Sequence, residues 1–123
     1  VLEPLSAYLL IVQKQYENTG LSGSYNVGPE SSGCLTTGEL ADLFCQAWGE
    51  GAHWEHIGDN GPHEDAMLKL DCSKIETALG WRPRWSVERA VRETVAWTKA
   101  WGNGEDVTNY MKQQVLEYFK EPL

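Results

Sequence analysis

Cysteine is scarce and unpaired in this chain: Cys34, Cys45 and Cys72 are three in 123 residues, and no C-x-x-C spacing occurs. An odd, scattered set excludes a disulfide framework and points to a reducing compartment, the cytoplasm. Cys45 falls on the apolar side of a helical pattern and reads as a packed thiol. Three scattered histidines with no Cys-His cluster leave no ligand set for zinc. Nowhere do about 20 apolar residues run together, the length needed to cross a bilayer. The opening residues lack both a positive stretch and a small-residue cleavage site, so no secretory leader is expected. Cations are few, 10 against 18 acidic residues for a net charge of -8. That excludes a nucleic-acid surface of clustered Lys and Arg. It leaves room for a nucleotide, because a few local cations suffice for one diphosphate.

Catalytic motifs are missing too. None of Tyr8, Tyr16, Tyr25, Tyr110 and Tyr118 has a Lys four residues on, the spacing at which a Lys lowers a Tyr pKa for proton abstraction. Gly20, Gly23 and Gly28 have the wrong spacing for a dinucleotide loop and precede a strand-like run. No G-x-S-x-G, H-E-x-x-H or P-loop occurs. The chain alone therefore holds no catalytic residue and no dinucleotide site of its own.

What is present is enough for one packed domain: 41% hydrophobic residues, six of the chain's residues being Trp. Glu3 to Glu17 is amphipathic at helical spacing. Leu2, Leu5 and Leu9 already keep that spacing from the first residues, without a cap, which suggests a chain cut from something longer. Ser24 to Val27 reads as a short strand broken by Gly28-Pro29. Thr36 and Glu39 form a capping box ahead of a helix striped with Leu40, Leu43, Phe44, Ala47 and Trp48. Ala52 to Ile57 alternates imperfectly and reads as a strand. The loop Gly58 to Pro62 has strong turn chemistry, and Met67 to Leu70 is the expected partner strand. Helices are expected over Ser73 to Leu79, Val87 to Trp101 and Glu105 to Phe119. The expected fold class is α+β, a helix-rich lobe with a short β-sheet, spanning residues 1–123 as a single domain.

The run Pro62 to Trp85, PHEDAMLKLDCSKIETALGWRPRW, carries the most information. After the strand-like stretch, Asp71 offers an oxygen to the next turn. Gly80 stands where a left-handed residue closes a short helix. Trp81 and Pro83 prevent its continuation. Trp85 leads to Ser86, a second cap. Leu79 and Trp81 are expected in the core. This order resembles the C-terminal segment of extended short-chain dehydrogenase/reductases acting on nucleotide sugars. There, D-x-S-K/R-x-x-x-x-L-G-W-x-P is followed by a helix with a late Trp. The matching residues are Asp71, Ser73, Lys74, Leu79, Gly80, Trp81 and Pro83, with Trp97. Val1-Leu2-Glu3-Pro4-Leu5, Tyr25-Asn26-Val27-Gly28-Pro29 and His63-Glu64 point to the 4,6-dehydratase branch.

The resemblance implies an NAD-dependent lyase and a bound nucleotide sugar. CDP-glucose is the expected substrate; another nucleotide-sugar dehydratase or epimerase, of the GDP-mannose or dTDP-glucose type, is the alternative within the class. The implied reaction oxidises C4, eliminates water across C5 and C6 and returns the hydride to C6, giving a 4-keto-6-deoxy sugar for polysaccharide biosynthesis. NAD would be bound by an N-terminal domain absent here, in an enzyme expected to be a homo-oligomer. No nucleic-acid or membrane partner is implied. A free-standing binding module is the alternative from another class.

Four residues are candidates for substrate binding: Glu64, His63, Glu3 and Asn26. In the family, a carboxylate seven residues before the motif Asp accepts hydrogen bonds from the nucleotide ribose, and Glu64 matches that place. The Arg that commonly precedes it by three is Gly61 here, so this loop departs from the family's pattern at the phosphate grip. Glu64 reads otherwise as a solvated loop acid, and His63 as an exposed loop residue. Asn26 either touches ligand or fixes the backbone turn. Glu3 either faces the cleft or is a first-turn acid favoured by the helix dipole. Lys74, Arg82 and Arg84 read as structural or solvated cations, and the Trp residues chiefly as core.

Overall fold

The computed structural model describes residues 1–30, 33–58 and 70–120. Every regular element among them is helical: α1 (Leu2–Glu17), a single 3-10 turn (Thr19–Leu21), α2 (Thr37–Trp48), α3 (Ser73–Leu79), α4 (Val87–Gly102) and α5 (Val107–Lys120). α2 packs on α4, α4 on α5, and α1 on α3.

The local chemistry explains where these helices start and stop. Thr36 and Glu39 make the capping box in both directions: Thr36 Oγ1 accepts from the Glu39 amide, and Glu39 Oε2 accepts from the Thr36 amide. Gly49 and Gly51, both at positive φ, turn the chain out of α2. α3 ends on Gly80 at φ 72°, a left-handed conformation that costs other residues more than glycine. Ser86 caps α4 by accepting from the Arg89 amide.

The expected α+β class is overturned. Among the described residues there is no strand and no sheet. A strand needs a neighbouring backbone to complete its ladder, and the two strand-like stretches are held by side chains instead. In the first stretch, Asn26 Nδ2 donates to the Asp71 carbonyl and Lys74 Nζ to the Ser24 carbonyl, at 3.0 and 2.9 Å. In the second, the Trp54 indole donates to Asp42 of α2 at 2.8 Å. The imperfect alternation of 52–57 thus reflects one side chain set against a helix. Leu70 is in no strand, and the rest of its expected partner strand, 67–69, lies outside the described residues.

The core gathers where α1, α3 and the segment after α3 meet. Ala7, Ile75, Leu79 and Trp81 are buried there, with Leu10, Ile11, Tyr25 and Val27 packed around them. Leu79 and Trp81 are therefore in the core as their sequence places imply. Trp85 is buried as well, and Trp48 and Trp97 are half-buried. Trp54 and Trp101 are not core residues, being 43% and 62% exposed. Cys45 is half-buried.

Candidate functional site

The site begins with a carboxylate at the head of α1. Glu3 stands one residue into the helix and points at the chain that leaves α3. Its Oε1 accepts from the amides of Arg84 and Trp85 at 3.1 and 2.8 Å. Its Oε2 accepts from the Arg84 amide at 3.2 Å and from the Tyr118 hydroxyl at 2.8 Å. One acidic side chain thereby ties α1 to the segment ahead of α4 and to the end of α5. Charge-assisted bonds of this kind are the stronger sort.

A polar thread runs behind it. The Trp81 indole donates to Ser6 Oγ at 3.0 Å, and Ser6 Oγ lies 2.8 Å from the Tyr118 oxygen. Tyr118 has one hydroxyl proton, and the Glu3 carboxylate is its charged acceptor. Ser6 then turns its own proton toward the Tyr118 oxygen or the Glu3 carbonyl, which it also reaches. Burial pushes the Tyr118 phenol up to about 12; the Ser6 contact opposes this and the Glu3 carboxylate adds to it. Arg84 lies over the Tyr118 and Phe119 rings and donates to the Tyr118 carbonyl.

Glu3 also lines an apolar cavity of about 490 Å³. Three sequence elements meet at it: Glu3-Pro4, Val27-Gly28-Pro29, and Trp81 with Pro83 and Trp85. Leu40 and Phe44 of α2 and Val87 of α4 close its other sides. The cavity can accept an apolar or sugar-ring face. A diphosphate needs more: among the described residues no Lys or Arg lines the cavity, Arg82 pairs with Glu76 at 3.5 Å, and Lys74 lies over the Tyr25 ring.

The four candidates separate. Glu3 is in the cavity wall with its carboxylate occupied by the protein's own donors. Asn26 is exposed and bridges to Asp71, so it fixes the meeting of two segments. Asp71 in turn accepts from the Ser73 amide at 2.9 Å, and the Ser73 contacts hold its carboxyl below the ordinary value. His63 and Glu64 lie outside the described residues, as does Gly61. The sequence reading missed Ser6 and Tyr118 as partners of Glu3. Ser6 sits at i+3 from Glu3 inside an apolar run, a polar residue on an inward face, and that spacing was the available sign.

The α2 N-terminus is closed by the Glu39 carboxylate, and α4 starts from the Ser86 cap with Glu88 in its first turn. Each thus carries an acidic side chain in its first turn, which a pyrophosphate would meet as like charge. Among the described residues no group of three or more His, Cys, Asp and Glu could hold a metal ion.

No family model matches the chain. It is 40% identical over 119 residues, 96% of its length, to a CDP-glucose 4,6-dehydratase from Salmonella typhimurium, of which those residues are 33% and a C-terminal portion. It is 34% identical over 86 residues to a dTDP-glucose 4,6-dehydratase from Haemophilus influenzae, covering 60% of this chain and 25% of that one. A dTDP-glucose 4,6-dehydratase from Streptomyces niveus is 35% identical over 83 residues, 63% of this chain and 23% of that one. The chain thus spans about a third of the first relative and about a quarter of the others.

Proposed function

We propose that this chain, homologous to a C-terminal portion of nucleotide-sugar 4,6-dehydratases, is the substrate-binding portion of such an enzyme, with CDP-glucose as its substrate. The carrying observation is the extent of the match: 96% of the chain aligns with the CDP-glucose enzyme, against 60% with the Haemophilus dTDP-glucose enzyme. The matched length includes two of the elements that meet at the Glu3 cavity, Val27-Gly28-Pro29 and Trp81 with Pro83 and Trp85.

In this reading the chain binds and orients, and the redox and proton chemistry lies outside it. NAD would be held by the rest of the polypeptide. The 123-residue chain by itself would turn over no sugar. No helix among the described residues is long and apolar enough to cross a membrane. A cytoplasmic, homo-oligomeric enzyme completes the proposal.

Glu64 is the proposed ribose acceptor, on the strength of its place seven residues before Asp71. The test uses a chimera: the Salmonella dehydratase with its matched residues exchanged for those of this chain. Glu64→Ala should weaken CDP binding by roughly 1.5–3 kcal/mol, the range for a hydrogen bond to a charged group. That is about 10- to 150-fold in Kd, read by calorimetry, with NAD retention unchanged. Equal CDP affinities would make Glu64 a surface acid. Tighter binding of dTDP or GDP than of CDP would move the substrate to another member of the class.

A further inference from the structure

The acceptor capacity of the Glu3 carboxylate is used up by the protein. A carboxylate offers about four lone-pair sites. Oε1 accepts from the Arg84 and Trp85 amides, and Oε2 from the Arg84 amide and the Tyr118 hydroxyl, all within 3.2 Å. No site is left for a substrate hydroxyl, although Glu3 stands in the cavity wall. What the carboxylate holds is the wall itself. Pro83 and Trp85, on either side of Arg84, both line the cavity. The backbone that carries them is fixed by two amides bound to one side chain of α1.

Tyr118 completes this clamp from the end of α5. Its hydroxyl reaches Glu3 and Ser6, both at 2.8 Å and both on α1. Its ring meets Trp85 edge-on, with centroids 5.3 Å apart at 73°. Tyr118 is fully buried and does not line the cavity. A Phe would fill nearly the same space and keep the ring contact. A hydroxyl is costly to bury unless it is bonded, so what this one contributes is its bond to the clamp.

We propose that Glu3 and Tyr118 are positioning residues for substrate: neither hydrogen-bonds it, and together they set the Pro83–Trp85 wall against which a ring of the nucleotide sugar lies. This rests on the reading that the chain is the substrate-binding portion of a dehydratase. It adds that binding depends on the last turn of α5, although no residue of α5 lines the cavity.

Steady-state kinetics of the chimera test this. Tyr118→Phe removes one oxygen and keeps the ring. Glu3→Gln keeps the shape and one acceptor oxygen but removes the charge. Each should raise KM for CDP-glucose at least about fivefold over the unsubstituted chimera, since a small misplacement of a binding wall is costly. Turnover, kcat, should stay within about threefold, the pattern of lost uniform binding, and NAD retention should not change. The double variant should raise KM no further than Glu3→Gln alone, because both changes act on one bond. A smaller rise in KM, or a loss confined to kcat or to melting temperature, overturns the inference and leaves the functional reading standing. If one variant fails to melt cooperatively, the other decides; loss of the fold in both makes the clamp purely structural and overturns the inference as well. An unsubstituted chimera that folds and retains NAD but turns over no CDP-glucose overturns both the inference and the functional reading.

Discussion

The two sides of α1 are built from similar residues and have different surroundings. The inner side is locked: Ala7 is fully buried, Ser6 shares hydrogen bonds with Trp81 and Tyr118, and Glu3 at the head accepts from three different groups. The outer side makes no comparable set, and its Leu9 and Val12 stand about two-thirds exposed. Hydropathy alone does not tell the sides apart. Small size does: Ser6 and Ala7 let the helix approach the Trp81 ring, whereas the outer side carries Leu, Val and Tyr, which stand exposed. Burial thus follows the partner available as well as the residue type.

The inner side can be broken hardest at Trp81. It is 1% exposed and hydrogen-bonded to Ser6. Trp81→Ala should cost about 3–5 kcal/mol, as large aromatic truncations do, and urea titration of the chain should show a marginal or unfolded protein. A melting temperature unchanged in that variant would mean that the α1–α3 junction is peripheral.

A smaller effect follows from Tyr118, whose folded-state pKa stands at about 12 against an ordinary 10.0. Folding favours its neutral phenol, so this contribution is complete below pH 10 and is lost as pH rises from there through about 12. The loss should be about 1–2 kcal/mol, allowing for screening of the full shift. Urea midpoints at pH 9 and pH 11.5 measure it, and Tyr118→Phe should remove this part of the slope. An identical slope in the Phe variant would assign the alkaline loss to other groups.

The outer side should respond least. Leu9→Lys with Val12→Lys should change the stability of the isolated chain by within about 0.5 kcal/mol, the usual span for exposed positions. A loss as large as that of Trp81→Ala would show that this side is already buried in this chain alone, and the contrast between the two sides would vanish.

Much of this was legible in the sequence. Thr36 with Glu39, Gly80 and Ser86 set helix ends through their own hydrogen bonds and φ values, so local pattern sufficed. Leu79 and Trp81 were readable as core because the chain must stop at Gly80 and turn there. The sheet was misread. Residues 24–27 and 52–57 have strand composition, but a strand is a relation between two segments, and Asn26, Lys74 and Trp54 answer for these stretches with side chains. The Glu3 network was half legible. An acid in the first turn looks like a dipole effect, and only the approach of Tyr118, 115 residues away, turns it into a cross-link. Glu64 remains an inference from its spacing to Asp71.

The most direct test of the account is turnover by the chimera. Loaded with NAD and given CDP-glucose, a cooperatively melting chimera should form the CDP-4-keto-6-deoxy sugar, and should prefer that substrate to dTDP-glucose and GDP-mannose. A chimera that folds and retains NAD, yet dehydrates none of the three, would contradict the assignment of this chain as the substrate-binding portion of a nucleotide-sugar 4,6-dehydratase.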